Sequence, residues 1–301
     1  MRGRPLHDTL GIEVLDFDIT RPASPEDQAE LRRLFCQHHL LLIRGQTPTN
    51  EDHDRFCKYF GPLSLPPVGA DSGYVSNVTD KQETKVGQQT GTDELLWHAD
   101  GTYGPHPGIG TSLFAKEVTP GSAPTLYLNA VHALKTLPAR LRERIASLKA
   151  MHMRDTQDYR TAKPYSDKEM QNKDPKQIRA HEHPIIYRPP HNDVDVLYVN
   201  RLLTSHITGL PRDEADALME ELFTHLYDEK NAYTHQWQLN DVIIWDNIAL
   251  QHRRPAMGAK NRHLRRVSLD GWNTGNGTFD WFASGTRRDN AVHEGRDLAT
   301  A

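Results

Sequence analysis

Leu95-Leu96-Trp97-His98-Ala99-Asp100-Gly101-Thr102-Tyr103 sets an imidazole and a carboxylate two residues apart, with apolar neighbours before them and a glycine after. Side chains at i and i+2 of a β-strand leave the same face. A strand here therefore predicts that His98 and Asp100 point together into whatever that face encloses. Alone, such a pair is more often a surface histidine beside an aspartate. It becomes a metal site if the chain adds a second histidine, since two histidines and one carboxylate form the facial triad of non-haem Fe(II) oxygenases. It also needs an interior for the site to face.

The surrounding pattern predicts that interior. Gly11–Phe17 alternates as a strand, and Ser24-Pro25-Glu26-Asp27 opens a helix with Ser24 as N-cap and Pro25 at its first position. Leu40-Leu41-Leu42-Ile43 reads as a short buried strand, followed by a helix from about Asn50 that ends before Gly61-Pro62. Further strands are expected at Tyr74–Val78, Gly108–Val118, Thr125–Leu128, Met151–Arg154, Pro184–Tyr187, Val196–Val199, Tyr233–Trp237, Asp241–Trp245 and His263–Trp272. Ala130–Leu148 reads as helix broken at Pro138, and Pro211–Asp228 as an amphipathic helix with Leu218, Leu222 and Leu226 at helical spacing. Many short strands with a few helices predict a mainly β fold with peripheral helices: a double-stranded β-helix, or jelly-roll, barrel of the cupin-like kind. The expected organisation is one catalytic domain over residues 1–301, with a lid insertion at 155–181 and a frayed tail from about 283.

Composition narrows the function. A net charge of −4 with mixed signs argues against a nucleic-acid or membrane surface. No apolar run approaches spanning length, and no apolar segment follows Met1-Arg2-Gly3-Arg4-Pro5, so a cytoplasmic location is expected. Cys36 and Cys57, without a Cys-x-x-Cys pair, read as reduced thiols. A homo-oligomer stays open.

Two stretches near the C-terminal end answer the opening question. Val242-Ile243-Ile244-Trp245 leads into Asp246-Asn247-Ile248-Ala249-Leu250-Gln251-His252, a histidine in a turn beside an apolar strand. Arg262-His263-Leu264-Arg265-Arg266 follows. On a strand, Arg262, Leu264 and Arg266 share one face and His263 and Arg265 the other. Arginines turned into a barrel need anionic partners, and a guanidinium fork suits a carboxylate or sulfonate. Arg253, Arg254 and Arg265 read instead as a basic, solvent-facing edge.

From Gly11 to about Gly271 the chain resembles the taurine dioxygenase-like Fe(II)/2-oxoglutarate-dependent dioxygenases. The resemblance is carried by Ile43-Arg44-Gly45-Gln46, Phe60-Gly61, Trp97-His98-Ala99-Asp100, Pro124-Thr125-Leu126, Trp245-Asp246-Asn247 through His252, and Arg262 through Arg266. It implies that His98, Asp100 and His252 bind Fe(II), and that Thr125 and Arg262 hold the distal carboxylate of 2-oxoglutarate, with O2 as the other co-substrate. It further implies that Arg266, with Tyr103 nearby, meets a small anionic organic substrate. Oxidation, by default hydroxylation, would release succinate and CO2. The chain departs from the family in reading Leu65-Pro66-Pro67 where taurine enzymes carry a substrate histidine, Ser122-Ala123-Pro124 for a usual Gly-Gly-Asp, and Ile248 for an arginine. The first departure, with Val68 beside it, points away from taurine towards a bulkier anion. The same three ligands would also serve a zinc hydrolase or a non-catalytic cupin-like binding protein, but neither accounts for Thr125 and Arg262 as directly.

Overall fold

A computed structural model of the chain describes residues 1–64, 73–78, 94–153 and 180–270, and the backbone of two short strands between the last two segments. In chain order the first elements are β1 (Gly3–Pro5), β2 (Ile12–Val14), α1 (Pro25–His38), β3 (Leu40–Ile43), α2 (Asn50–Lys58), β4 (Gly73–Ser76), β5 (Leu95–His98), β6 (Gly110–Val118) and β7 (Thr125–Asn129). Then come α3 (Ala130–Thr136), α4 (Ala139–Ile145), β8 (Lys149–Met153), β9 (Gln157–Asp158), β10 (Lys163–Pro164), β11 (Ala180–Pro184), β12 (Ile186–Tyr187), β13 (Val196–Leu197) and β14 (Thr204–Ile207). The last are α5 (Arg212–Leu226), β15 (Tyr233–His235), β16 (Val242–Asp246), β17 (Leu250–Arg254) and β18 (Arg262–Leu269). Of the expected 155–181 insertion only Ala180, His181 and the backbone of two short strands are described; the tail from 283, Leu65-Pro66-Pro67-Val68 and Gly271-Trp272 lie outside the described residues.

Two sheets form the body of the expected jelly roll. One has seven strands in the order β1-β2-β3-β16-β6-β18-β4, the other four in the order β15-β7-β17-β5. The run Leu40–Ile43 is apolar without alternation because both faces of the larger sheet are covered. Leu40 and Leu42 pack with Trp245, Leu264, Tyr127 and Leu250 between the sheets, while Leu41 and Ile43 pack with Leu31, Phe35 and Phe56 of the helices. Fully burying each such side chain is worth roughly 1.5–3 kcal/mol. Both helices start where their caps dictate. The Ser24 side chain accepts from Asp27 N, and Thr49 and Asp52 form a reciprocal capping box.

Three readings need correction. β17 is a strand, so His252 lies within the smaller sheet rather than in a turn. β18 is paired on both sides, with β6 and β4, and α2 covers its outer face. Arg265 is accordingly 1% exposed, and Arg254, on β17 between β7 and β5, is 7% exposed, where a solvent-facing edge was expected; of the three, Arg253 alone retains a substantially accessible side chain. Finally, β5 ends at His98, and Asp100 sits in the turn that follows. No helix among the described residues is long and apolar enough to cross a membrane.

Candidate active site

His98 and His252 are directly opposed across β5 and β17, with ring centroids 4.1 Å apart. The His98 Nδ1–H donates to Leu96 O at 2.8 Å. That bond fixes the tautomer and leaves Nε2 with its lone pair facing Asp100 Oδ1, 3.4 Å away. His252 Nε2 lies 4.0 Å from Asp100 Oδ2. One ligand atom from each of the three residues falls within 4.8 Å of the other two, the one such cluster of metal-ligating groups among the described residues. The donor set of two imidazoles and a carboxylate, held by two strands and a turn, suits a divalent metal of the Fe(II) or Mn(II) kind.

The charges at this cluster are set by its neighbours. Burial, followed by repulsion from His98, pushes His252 down to about 3, so its ring is neutral and able to coordinate. Burial opposes ionisation of Asp100, but the Arg266 charge beside it holds its carboxyl well below the usual range. The Arg266 Nη2 donates to Asp100 Oδ2 at 2.7 Å, and Thr111 Oγ1 reaches the same oxygen at 3.4 Å. The sequence places Arg266 on the inward face; the structure puts its guanidinium directly on Asp100.

Four residues earlier on the same face, Arg262 is 1% exposed. Its Nη2 donates to Thr125 Oγ1 at 2.8 Å and its Nη1 faces Met257 Sδ at 3.9 Å. Its guanidinium carbon stands 5.6 Å from the ring centre of Trp237, whose Nε1 donates to the same Thr125 hydroxyl at 3.0 Å. No carboxylate among the described residues pairs with it. Burial, then the charge of Arg254, lowers its pKa to about 9. A buried guanidinium without an anion is costly. This is the arrangement expected of a carboxylate-binding site, and Trp237 and Met257, which complete it, carried no spacing signal in the sequence.

Tyr103 is half-buried in the turn after Asp100. The turn itself is pinned by its neighbour Thr102, whose Oγ1 meets His152 Nδ1 at 3.0 Å and whose carbonyl accepts from His183 Nε2 at 3.0 Å. Burial pushes these two histidines down to about 3 and about 4, so both are neutral.

Comparison with known proteins gives the family. Residues 2–268 match the model of the taurine catabolism dioxygenase TauD, TfdA family. The chain belongs to that family. As a family member it is a dioxygenase, which sets aside the zinc hydrolase and the silent binding protein. It is 26% identical over 284 residues to pentalenolactone F synthase of Streptomyces avermitilis, covering 85% of this chain and 89% of that one. It is 24% identical over 284 residues to the alpha-ketoglutarate-dependent 2,4-dichlorophenoxyacetate dioxygenase of Cupriavidus pinatubonensis, covering 88% and 96%. Among solved structures, AAD-2 in complex with Mn(II) and N-oxalylglycine superposes with a TM-score of 0.74 at 22% identity, over 90% of this chain and 96% of that one.

Proposed function

We propose that the chain is an Fe(II)- and 2-oxoglutarate-dependent dioxygenase that oxidises a small organic anion. The observation that carries this reading is Arg262: a cation with 1% exposure, hydrogen bonded to Thr125 and, among the described residues, paired with no carboxylate. His98, Asp100 and His252 would hold the metal, and Thr125 with Arg262 the distal carboxylate of 2-oxoglutarate. When bound, Fe(II) with 2-oxoglutarate and O2 supplies oxidative decarboxylation to succinate and CO2, coupled to oxidation of a substrate C–H bond. The chain's own part is positional. The Leu96 carbonyl holds the His98 ring, and Trp245, 5.0 Å from His252 between ring centres, walls the site on the side of the core.

Arg266, whose Nη2 donates to Asp100 Oδ2, stands beside the metal ligands where a guanidinium would meet an anionic group on the primary substrate. The Leu65-Pro66-Pro67 reading removes the donor that a compact sulfonate would use, and a relative is named for an aryloxyacetate. The substrate class that fits is a carboxylate carrying a bulkier hydrophobic body, with taurine turned over poorly.

The test is succinate release with Fe(II) and 2-oxoglutarate across taurine, aryloxy carboxylates and amino-acid-derived carboxylates. His98→Ala, Asp100→Ala and His252→Ala should each abolish metal-dependent O2 consumption while the fold survives, and His132→Ala should not. A triad variant with full turnover would sink the site assignment. Efficient taurine turnover, lost in Arg266→Ala, would overturn the substrate class alone.

A further inference from the structure

Asp100 is a ligand without a strand. β5 stops at His98, so no neighbouring strand holds the Asp100 peptide, and a carboxylate on a loose turn would not stay opposite His98 and His252. One side chain supplies what the sheet does not. Asn247 Oδ1 accepts from Asp100 N at 2.8 Å, and Asn247 Nδ2 donates to Asp100 O at 2.9 Å and to Gly108 O at 3.0 Å. A carboxamide presents donor and acceptor side by side, and so reproduces both bonds that a paired strand residue would exchange.

Asn247 is itself fixed. It is 1% exposed, and its backbone N–H donates to Ile109 O at 3.0 Å. It occupies the turn between β16 and β17, which the preceding Asp246 braces by accepting from Ile248 N and Ala249 N, each at 3.0 Å. β17 begins at Leu250 and carries His252. The same turn therefore launches the second histidine and clamps the carboxylate.

We propose that Asn247 is a positioning residue for the metal site, holding the main chain of Asp100 so that its carboxylate converges with His98 and His252. The inference rests on the reading of Asp100 as a metal ligand. Asn247→Asp is isosteric: it keeps an acceptor for Asp100 N–H but loses the donor to two carbonyl oxygens and sets a negative charge against them. Asn247→Ala removes all three bonds. A matched control is Asn129, 8% exposed, whose side chain accepts from Val131 N and His132 N and donates to Thr9 O.

The experiment is Mn(II) binding to the full chain without co-substrate, read from the electron paramagnetic resonance of free Mn(II), with thermal melting of each metal-free variant alongside. Both Asn247 variants should weaken Mn(II) by about 10- to 100-fold, as loss of groups that orient ligands does, and Asn129→Ala should stay within about threefold of the parent even where its melting point falls as far. If Asn247→Ala does not fold, Asn247→Asp decides. Unchanged Mn(II) affinity in a folded Asn247 variant overturns the proposal, as does equal weakening by Asn129→Ala, which would mean general loosening. A parent protein that binds no Mn(II) at all overturns the metal reading together with the inference.

Discussion

Arg262 and Arg265 stand three residues apart on one strand, each 1% exposed, and they are provisioned in opposite ways. Arg265 points to the helix side, where its Nη2 donates to Asp54 at 2.7 Å and its Nη1 to His53 Nδ1 at 2.8 Å. Arg262 points between the sheets and finds a hydroxyl, a thioether sulfur and an indole face. The first is a completed structural pair that locks α2 onto β18. The second meets no carboxylate among the described residues. Burial therefore does not separate a structural arginine from a binding one; the presence of a carboxylate partner does.

The sharpest way to break that contrast is to remove each arginine. Losing one partner of a buried charge pair costs roughly 3–5 kcal/mol. For Arg265→Ala the loss should appear as stability, in denaturant unfolding, with the 2-oxoglutarate requirement of the folded protein little changed. For Arg262→Ala it should appear as co-substrate affinity, raising the 2-oxoglutarate requirement by at least about a hundredfold at that energy, while Mn(II) affinity holds. Crossed results, with Arg265→Ala starving the enzyme of co-substrate, would show that the two faces are assigned the wrong way round.

A somewhat smaller effect sharpens the claim that Arg262 meets no carboxylate among the described residues. An anion that binds only the folded state stabilises it by about 2.7 kcal/mol at a hundred times its dissociation constant. N-oxalylglycine, an oxalyl-bearing dicarboxylate, should raise the melting point of the Mn(II)-loaded parent and of Arg265→Lys, but not of Arg262→Ala. A full shift in Arg262→Ala would place the anion elsewhere.

The next effect belongs to the Arg265 side alone. His53 can accept from Arg265 only while neutral, its Nε2–H being directed to Ser112 Oγ at 2.8 Å. Burial first, then the Arg265 charge, holds it well below its ordinary value. The unfolded chain thus takes up a proton that the folded chain refuses. The stability His53 contributes is complete above about pH 6.5 and falls as pH drops below it, by at most about 1.4 kcal/mol per pH unit. His152 and His183 add slopes of the same sign, so the measurement is the difference between the parent and His53→Gln across pH 7 to 4. Parallel curves would remove His53 from the Arg265 pair's account.

Much of this contrast is readable in the sequence, and its gaps have physical causes. Alternation along Arg262-His263-Leu264-Arg265-Arg266 assigns the arginines to opposite faces, and the family-like motifs identify the inward one. Alternation does not say what covers the other face. That depends on α2, more than two hundred positions away, which is why Arg265 reads as an exposed edge residue. Gln251-His252-Arg253-Arg254 is polar enough to pass for a turn and becomes a strand because β7 and β5 pair with both its edges, a tertiary effect that outweighs local propensity. The spacing His98-Ala99-Asp100 points to a pair that does converge in the structure, for an incomplete reason: the strand ends at His98, and the Asp100 main chain is bonded to Asn247, which no periodicity marks.

The smallest expected effect concerns Thr125, and it tests whether the Arg262 end is built to receive rather than merely to tolerate an anion. A hydroxyl offers two acceptor positions and one donor. The Thr125 oxygen accepts from Arg262 Nη2 at 2.8 Å and from Trp237 Nε1 at 3.0 Å. Both acceptor positions are thereby filled by the protein, and the hydroxyl proton is directed away from these two donors, free to meet a carboxylate oxygen held on Arg262. Thr125→Val preserves shape and removes that donor, so the co-substrate should lose one hydrogen bond, about 0.5–1.5 kcal/mol or roughly 2- to 13-fold in affinity. Thr125→Ser keeps the hydroxyl and should restore most of it. Titration of N-oxalylglycine into the Mn(II)-loaded proteins separates the two. If valine binds as tightly as threonine, the hydroxyl serves only to hold Arg262 and Trp237. If serine fails along with valine, the loss lies in packing beside β15 and not in the hydrogen bond.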